Sequence, residues 1–418
     1  MTAIERTSVR IEPGKVLAVV SGNALEFFDF LSFAFFAANL SRVMFPAGAP
    51  GSALLLTFAT AATGFGARPL GAAIMGWIGD RHGRRPAMLL TFFLMGFGAI
   101  GLALTPDYRS IGMAAPILVV IFRILQGLAA GGDIGPSTAY LIEAAPLRWR
   151  GFFVSLQYVS MRAGAMMGGF VGLGLASVMT PAQLDAYGWR IAFAIGALIV
   201  PFALVLRTRL EETLELPEAD PDAPTEVSWH VLALAILGVF GTLVTGGIQD
   251  FFLTYAETWL KTPPKQAYLI VIAIGVTYVV GYAAGGVMSD LFGRKRMKLW
   301  PVGVALLVTI PMFQWVARTG DFNVLMLAAV TSCLFTSLGS AAILTTLVEI
   351  TPRKMRASVV GVLYGIAVAI AFGGGPLALT AWLNATHDLA APGYGLMLGL
   401  VCCMVSALLV RDTTPARG

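Results

Sequence analysis

The chain has 418 residues, 57% of them hydrophobic and 12% charged, with a formal net charge of +5 and a mean hydropathy of +0.80. So much apolar surface excludes a soluble globular protein of this length. The charges gather in short segments between long apolar runs, so the positive excess reads as an orientation signal for a lipid bilayer, and no nucleic-acid partner is expected.

In chain order, the first fourteen residues are polar and too short to form a cleavable signal with its own apolar core. Twelve apolar runs follow, roughly 15–40, 52–79, 86–105, 114–143, 151–176, 190–207, 230–258, 267–289, 298–316, 322–349, 356–383 and 393–411. Each is long enough to cross a bilayer, which takes about 20 residues. Alternate connections carry the basic residues: Arg81, Arg84 and Arg85; Arg148 and Arg150; Arg207 and Arg209; Arg294 to Lys298; Arg353, Lys354 and Arg356; Arg411 and Arg417. The positive-inside rule places those connections, and with them both termini, in the cytoplasm. Segment 209–228 is acidic and proline-bearing and reads as a linker between an N-terminal half, 1–208, and a C-terminal half, 229–418.

The halves repeat one another. Gly76-Trp-Ile-Gly-Asp80-Arg81-His-Gly83-Arg84-Arg85 recurs as Gly286-Val-Met-Ser-Asp290-Leu-Phe-Gly293-Arg294-Lys295, so that Asp290 lies 210 residues after Asp80. Glu143-Ala-Ala-Pro146-Leu-Arg-Trp-Arg150 recurs as Glu349-Ile-Thr-Pro352-Arg-Lys-Met-Arg356, an offset of 206. Two unrelated motifs at nearly one offset mark a duplicated unit, and each copy closes an apolar run with a basic cluster. The fold expected is an all-α membrane protein of twelve transmembrane helices in two six-helix parts. Asp80, Arg81, Arg84, Glu143, Asp290, Arg294 and Glu349 stand at span ends, where charges and helix termini pair. They are predicted to gate the cytoplasmic side.

Several charges fall within the spans. Glu26 and Asp29 in the first, Arg68 in the second, Asp133 in the fourth and Arg162 in the fifth all lie near the bilayer midplane, with Arg123 farther out on the fourth. A lone charge at that depth costs at least about 2.5–3.5 kcal/mol, so these residues should face a shared polar interior. Structural roles also stand for them: Glu26 and Arg123 as a pair or helix cap, Arg68 answering the carbonyl that Pro69 frees, Asp133 at a close contact made by Gly131-Gly132. Asp29 and Arg162 have no obvious structural partner, an ion pair between Arg162 and Asp29 or Glu26 being the plainest alternative. Asp250 and Glu257 are placed toward the outer end of the seventh span, within reach of water. None of the three histidines is deep, so any proton carried falls to a carboxylate. Cys333, Cys402 and Cys403 lie in apolar runs with no metal-ligand or disulfide spacing, and no phosphate loop is present. No metal or cofactor is expected, and an ion gradient is the expected energy source.

Ser21-Gly-Asn23-Ala-Leu-Glu26-Phe-Phe-Asp29-Phe, Gly66-Ala-Arg68-Pro-Leu-Gly71-Ala, the Gly79-to-Arg85 loop and Arg123-Ile-Leu-Gln126-Gly127 together resemble the major facilitator superfamily, within it the metabolite–proton symporter branch. Tyr108 to Pro116 and Pro311-Met-Phe-Gln314-Trp315 most resemble the citrate and tricarballylate–proton symporters of that branch. The chain departs from the pattern twice. Asp133 stands where the branch usually carries Glu, and Ser155-Leu-Gln157-Tyr158-Val-Ser160-Met-Arg162 ends on an arginine where citrate carriers resemble a glutamine.

The resemblance implies a monomeric carrier in the bacterial inner membrane, importing an organic di- or tricarboxylate with protons by alternating access. Arg162, Arg68 and Arg123 would meet carboxylate. Asn23, Gln126, Gln157, Tyr158 and Gln314 would supply polar contacts, and Asp29, Glu26 or Asp133 would take the proton. A zwitterion or osmolyte symporter of the same branch and a non-transporting membrane sensor are the alternative readings. An enzyme is not expected, since no nucleophile–base pair is visible. The fifth span's Gly164, Gly168 and Gly172 predict a close-packing face, and Gly373-Gly-Gly-Pro376 predicts a bend in the eleventh.

Overall fold

The computed structural model describes residues 13–45, 52–82, 84–132, 134–143, 145–208, 228–352 and 356–414. All of the predicted linker except Ser228 lies outside them, as does Asp133. The side chains of Asp80, Arg81, Arg84 and Glu143 are likewise outside the description.

Among the described residues, eight helices are long and apolar enough to cross a bilayer, and a bent pair supplies a ninth span. Ser52–His82, Arg84–Leu104 and Trp189–Thr208 complete twelve. In chain order they are α1 (Pro13–Phe35 and Ala37–Met44), α2 (Ser52–His82), α3 (Arg84–Leu104), α4 (Ala114–Gly131 and Ile134–Glu143), α5 (Arg150–Val178) and α6 (Trp189–Thr208). The second set is α7 (Trp229–Asp250 and Phe252–Thr258), α8 (Pro264–Phe292), α9 (Arg294–Thr319), α10 (Phe322–Ile350), α11 (Arg356–Val368 and Gly375–Thr386, joined by a π-turn at Ala369–Gly374) and α12 (Ala391–Leu409). Hydrocarbon offers the backbone no hydrogen-bond partners, so each span satisfies its own amides as helix. Leu104, Leu307 and Phe93 are exposed, as a lipid-facing surface requires.

The predicted runs match these helices closely, and the differences fall at breaks that hydropathy does not register. The two parts of α1 meet at 57°. In α7 the break comes at Phe251, directly after Asp250. The predicted bend in α11 is the π-turn, where Gly373 lies against Ala62 and Phe65 of α2.

The helix pairings of the first six spans recur six helices later. α1 packs on α5 and α6, α2 on α4, and α3 on α4 and α6; α7 packs on α11 and α12, α8 on α10, and α9 on α10 and α12. This is the tertiary form of the repeat seen in the sequence. The two sets join where α5 lies along α8 and α2 along α11. The glycines of α5 permit both of its contacts. A Cβ on Gly164 would come within 2.1 Å of the Ala24 carbonyl oxygen of α1, and one on Gly172 within 2.1 Å of the Tyr268 ring of α8.

Contacts among the described residues cross the seam between the sets at both ends. At the end bearing the basic loops, the Asp290 carboxylate accepts the backbone N–H groups of Gly151 and Phe152, each at 2.9 Å. These are the first free amides of α5, so an acidic residue of one half caps a helix of the other. Arg294 holds Asp290 at 2.6 Å and reaches Glu349 at 3.2 Å. The chain beyond α12 fastens the same cluster, with Thr413 Oγ1 donating to Glu349 at 2.5 Å and the Arg294 backbone N–H donating to Thr414 Oγ1 at 2.8 Å. At the opposite end, Phe36 of α1 meets Tyr268 of α8 with ring centroids 5.8 Å apart, and Phe58 of α2 meets Phe251 of α7 at 5.4 Å.

Candidate functional site

The buried charges fall into three groups. The first is built from α1 and α4. Gln126 donates through Nε2 to Asp29 Oδ2 at 2.6 Å and accepts through Oε1 from Arg123 Nη1 at 3.0 Å. One amide thus bridges an acid and a base that do not touch directly. Asp29 Oδ1 has no hydrogen-bond partner among the described residues. It faces Gly196 of α6, where a Cβ would stand 2.6 Å from it. The predicted members Asp29, Arg123 and Gln126 therefore do come together.

The second group surrounds Arg68. Its guanidinium is fully buried and none of its three nitrogens has a hydrogen-bond partner among the described residues. It does not answer the carbonyl freed by Pro69, contrary to the structural expectation. It lies 4.3 Å over the Phe30 ring, with Phe65 at 5.3 Å and Phe27 at 5.4 Å. Arg123 lies over the same Phe30 at 3.9 Å, so two cations share one ring. Desolvated contacts of this kind are worth about 2 kcal/mol, which offsets part of the burial cost. Glu26 of α1 and Tyr364 of α11 lie within electrostatic reach of Arg68.

The third group joins the halves. Arg162 of α5 donates through Nη1 to Asp250 Oδ1 of α7, and the two side chains are 2% and 7% exposed. The expected alternative partners were Asp29 or Glu26, and the expected place of Asp250 was a watery outer end. The structure corrects both: Asp250 is buried and holds Arg162. Asp250 is the last residue of the first segment of α7, and its side chain reaches Arg162 across the seam. The Arg162 guanidinium lies 4.1 Å over the Tyr278 ring. Tyr278 and Tyr282 stack at 5.1 Å, and Tyr158 packs on Tyr282 at 4.9 Å. Arg162 and Asp250 line a cavity of about 10 Å³ together with Gln249, Phe35 and apolar residues of α8. That is room for about one water.

The remaining predicted contacts divide. Tyr158 is buried beside this group with its hydroxyl unpartnered among the described residues. Asn23 and Gln157 are spent on one another: Asn23 Nδ2 donates to the Gln157 carbonyl at 3.0 Å and to Ser160 Oγ at 2.6 Å, while Gln157 Nε2 returns a bond to Asn23 Oδ1 at 3.2 Å. This network ties α1 to α5. Gln314 is exposed on α9 and does not join the site, a correction with a simple cause. Likeness of a short motif says nothing of the face a helix presents.

Sequence reasoning missed Asp250, Tyr278, Tyr282 and Tyr364 as site residues. Two signals could have found them. Gly246-Gly247-Ile248-Gln249-Asp250 combines helix-loosening glycines with consecutive polar residues deep in a span, and Tyr278 and Tyr282 sit four apart on one face of another.

Known proteins bear on this architecture. The sugar (and other) transporter family matches residues 16–215. The citrate–proton symporter of Salmonella typhi is 33% identical over 95% of this chain and 93% of its own. The α-ketoglutarate permease of Escherichia coli is 31% identical over 95% and 93%. The chain belongs to the major facilitator superfamily. Its place is in the metabolite–proton symporter branch of that superfamily. The xylose transporter of E. coli, in a partially occluded inward-open conformation, superposes with a TM-score of 0.74 over 96% of this chain and 98% of that one at 19% identity, and it shares the fold. As a major facilitator protein the chain is a multi-pass membrane transporter and not an enzyme.

Proposed function

We propose that this transporter carries an organic di- or tricarboxylate together with protons, by alternating access about the Arg162 cavity. The observation that carries the reading is Arg162 itself. It is a fully buried guanidinium on the wall of the cavity, with Nε unpartnered among the described residues. Its planar fork suits a carboxylate. Arg68, whose three nitrogens are unpartnered among the described residues, is a second cation for a second carboxylate. Tyr364 lies within electrostatic reach of both arginines. The citrate and α-ketoglutarate carriers to which the chain is similar support this choice of substrate class.

Asp29, bridged to Arg123 by Gln126, is the proposed proton site, with Glu26 and Asp133 as its alternates. Protons taken with the anion offset its charge, which would otherwise cost about 2.3 kcal/mol per charge per 100 mV to move against the membrane potential. Residues 1–208 and 229–418 are the two rocking bodies, joined by the linker. The basic loops and both termini face the cytoplasm of a bacterium, in the inner membrane, and the carrier works as a monomer. Asp290, Arg294 and Glu349, with Asp80, Arg81, Arg84 and Glu143, form the cytoplasmic gate.

A panel of mono-, di- and tricarboxylates and osmolytes, scored by thermal stabilisation of the purified protein, tests the substrate class. Stabilisation by di- or tricarboxylates and not by betaine or proline is the expected result; the reverse overturns the reading. Asp29→Asn is expected to lose uphill uptake driven by a pH gradient in proteoliposomes while keeping substrate counterflow. Normal accumulation by that variant removes the proton role from Asp29.

A further inference from the structure

The ion pair raises a question for the anion site: its cation already has an anion. We infer that Asp250 occupies the position on Arg162 that a substrate carboxylate takes, and that binding expels Asp250 and protonates it. This rests on the carboxylate reading above and names the residue that ties anion to proton at that site.

Four observations converge. The cavity beside the pair has room for about one water, so no carboxylate enters unless a side chain leaves. Arg162 is not the side chain that moves. It stands mid-way along the continuous helix α5, stacked on Tyr278, with Nη2 only 2.6 Å from where a Cβ on Gly246 would be. Asp250 is the last residue before the break in α7, where a few backbone torsions suffice to swing it. Finally, the pair spans the two halves, so the separation of α5 from α7 that admits a substrate also stretches this bond.

The exchange conserves charge. The Nη1–Oδ1 ion pair opens and a substrate carboxylate oxygen accepts from Nη1 in its place. Asp250 then loses its cation, and the groups it leaves beside Arg162 are Tyr278 of α8, Cys333 of α10 and Gln249 of its own helix. An unpaired buried anion is far more costly than a neutral acid. Oδ2, which has no hydrogen-bond partner among the described residues, takes one proton from the aqueous side through which the anion arrived. The site holds one cation and one anion before the exchange, and one cation, one anion and one neutral acid after it. This proton is additional to the one proposed at Asp29, and at the Arg162 site anion and proton bind together.

The test uses the full-length protein in detergent with citrate, α-ketoglutarate and succinate as probes. Because one proton is taken up at Asp250 for each anion bound, the native Kd should rise by about tenfold more per pH unit than that of Asp250→Asn. Proton uptake in weak buffer should be one greater per anion in the native protein. At alkaline pH, Asp250→Asn should bind the anion at least about tenfold more tightly than the native protein, because Arg162 is already free. Equal pH slopes and equal proton counts in the two proteins overturn the inference and leave the carboxylate reading standing. No binding of any probe by the native protein overturns both. Should Asp250→Asn fail to fold, Asp250→Glu keeps a carboxylate on a longer arm and should move the pH at which the native slope bends; an unmoved profile overturns the inference equally.

Discussion

Arg123 and Arg162 are both buried guanidiniums laid over aromatic rings, at 3.9 Å and 4.1 Å, yet they meet their carboxylates differently. Arg123 reaches Asp29 through Gln126, and all three residues belong to α1 and α4 of the N-terminal set. Arg162 reaches Asp250 directly and across the seam. A pair inside one body keeps its geometry when the bodies rock. A pair between bodies is made in one state and broken in another, so its free energy belongs to the conformational equilibrium. The same contrast separates the Asn23–Gln157 network, which ties α1 to α5, from the Asp290 cap, which ties α8 to α5.

The sharpest way to break that contrast is Arg162→Gln. Removing one partner of a buried pair costs about 3–5 kcal/mol. The affinity for carboxylates should fall by about 30-fold or more, the equivalent of ~2 kcal/mol for a desolvated charged hydrogen bond. Arg162→Lys should lose less, since it keeps the charge without the fork. Dissociation constants for the carboxylate panel, with melting temperatures, check both. Unchanged affinity in both variants would remove Arg162 from the site.

Gln126→Ala strands Asp29 and Arg123 inside one half, and should lower stability by about 1–3 kcal/mol. Because all three residues belong to α1 and α4 of one half, the balance between open and closed ends should not move. Labelling of a Ser155→Cys reporter from the basic-loop side measures that balance, and a changed labelling rate in Gln126→Ala would show that the Asp29–Arg123 group also governs the seam.

Asp290→Asn should do the opposite, increasing the same labelling about tenfold, since a charged hydrogen-bonded acceptor worth ~1.5–3 kcal/mol is weakened at the seam. Gly151→Ala should reproduce the effect without removing a charge. Its Cβ would fall 2.5 Å from Ser289 Oγ and 2.6 Å from Arg294 Nη1. At the other extreme, Gln314→Ala is expected to change transport by less than about twofold, as an exposed position away from both groups should.

Much of this was legible in the chain. The span boundaries followed from the length a helix needs to cross hydrocarbon, and the duplication followed from two motifs repeating at offsets of 210 and 206. The pairing map, recurring six helices later, is the same repeat in three dimensions. The midplane charges were found because a charge there is costly wherever the helices pack. Their company was not legible. Asp29, Gln126 and Arg123 were each singled out, but that an amide joins them depends on how α1 faces α4.

The sequence by itself determined that this is a twelve-span, duplicated membrane protein with buried arginines and acids in its first half, because hydropathy and the cost of a buried charge are properties of single segments. Only the tertiary structure decided which acid answers Arg162. Asp250 lies 88 residues away on the other half. It meets Arg162 across the seam, where glycines allow α5 to approach α8 closely. Which charges meet is set by how helices rotate and cross against one another, and no property of a single segment records that.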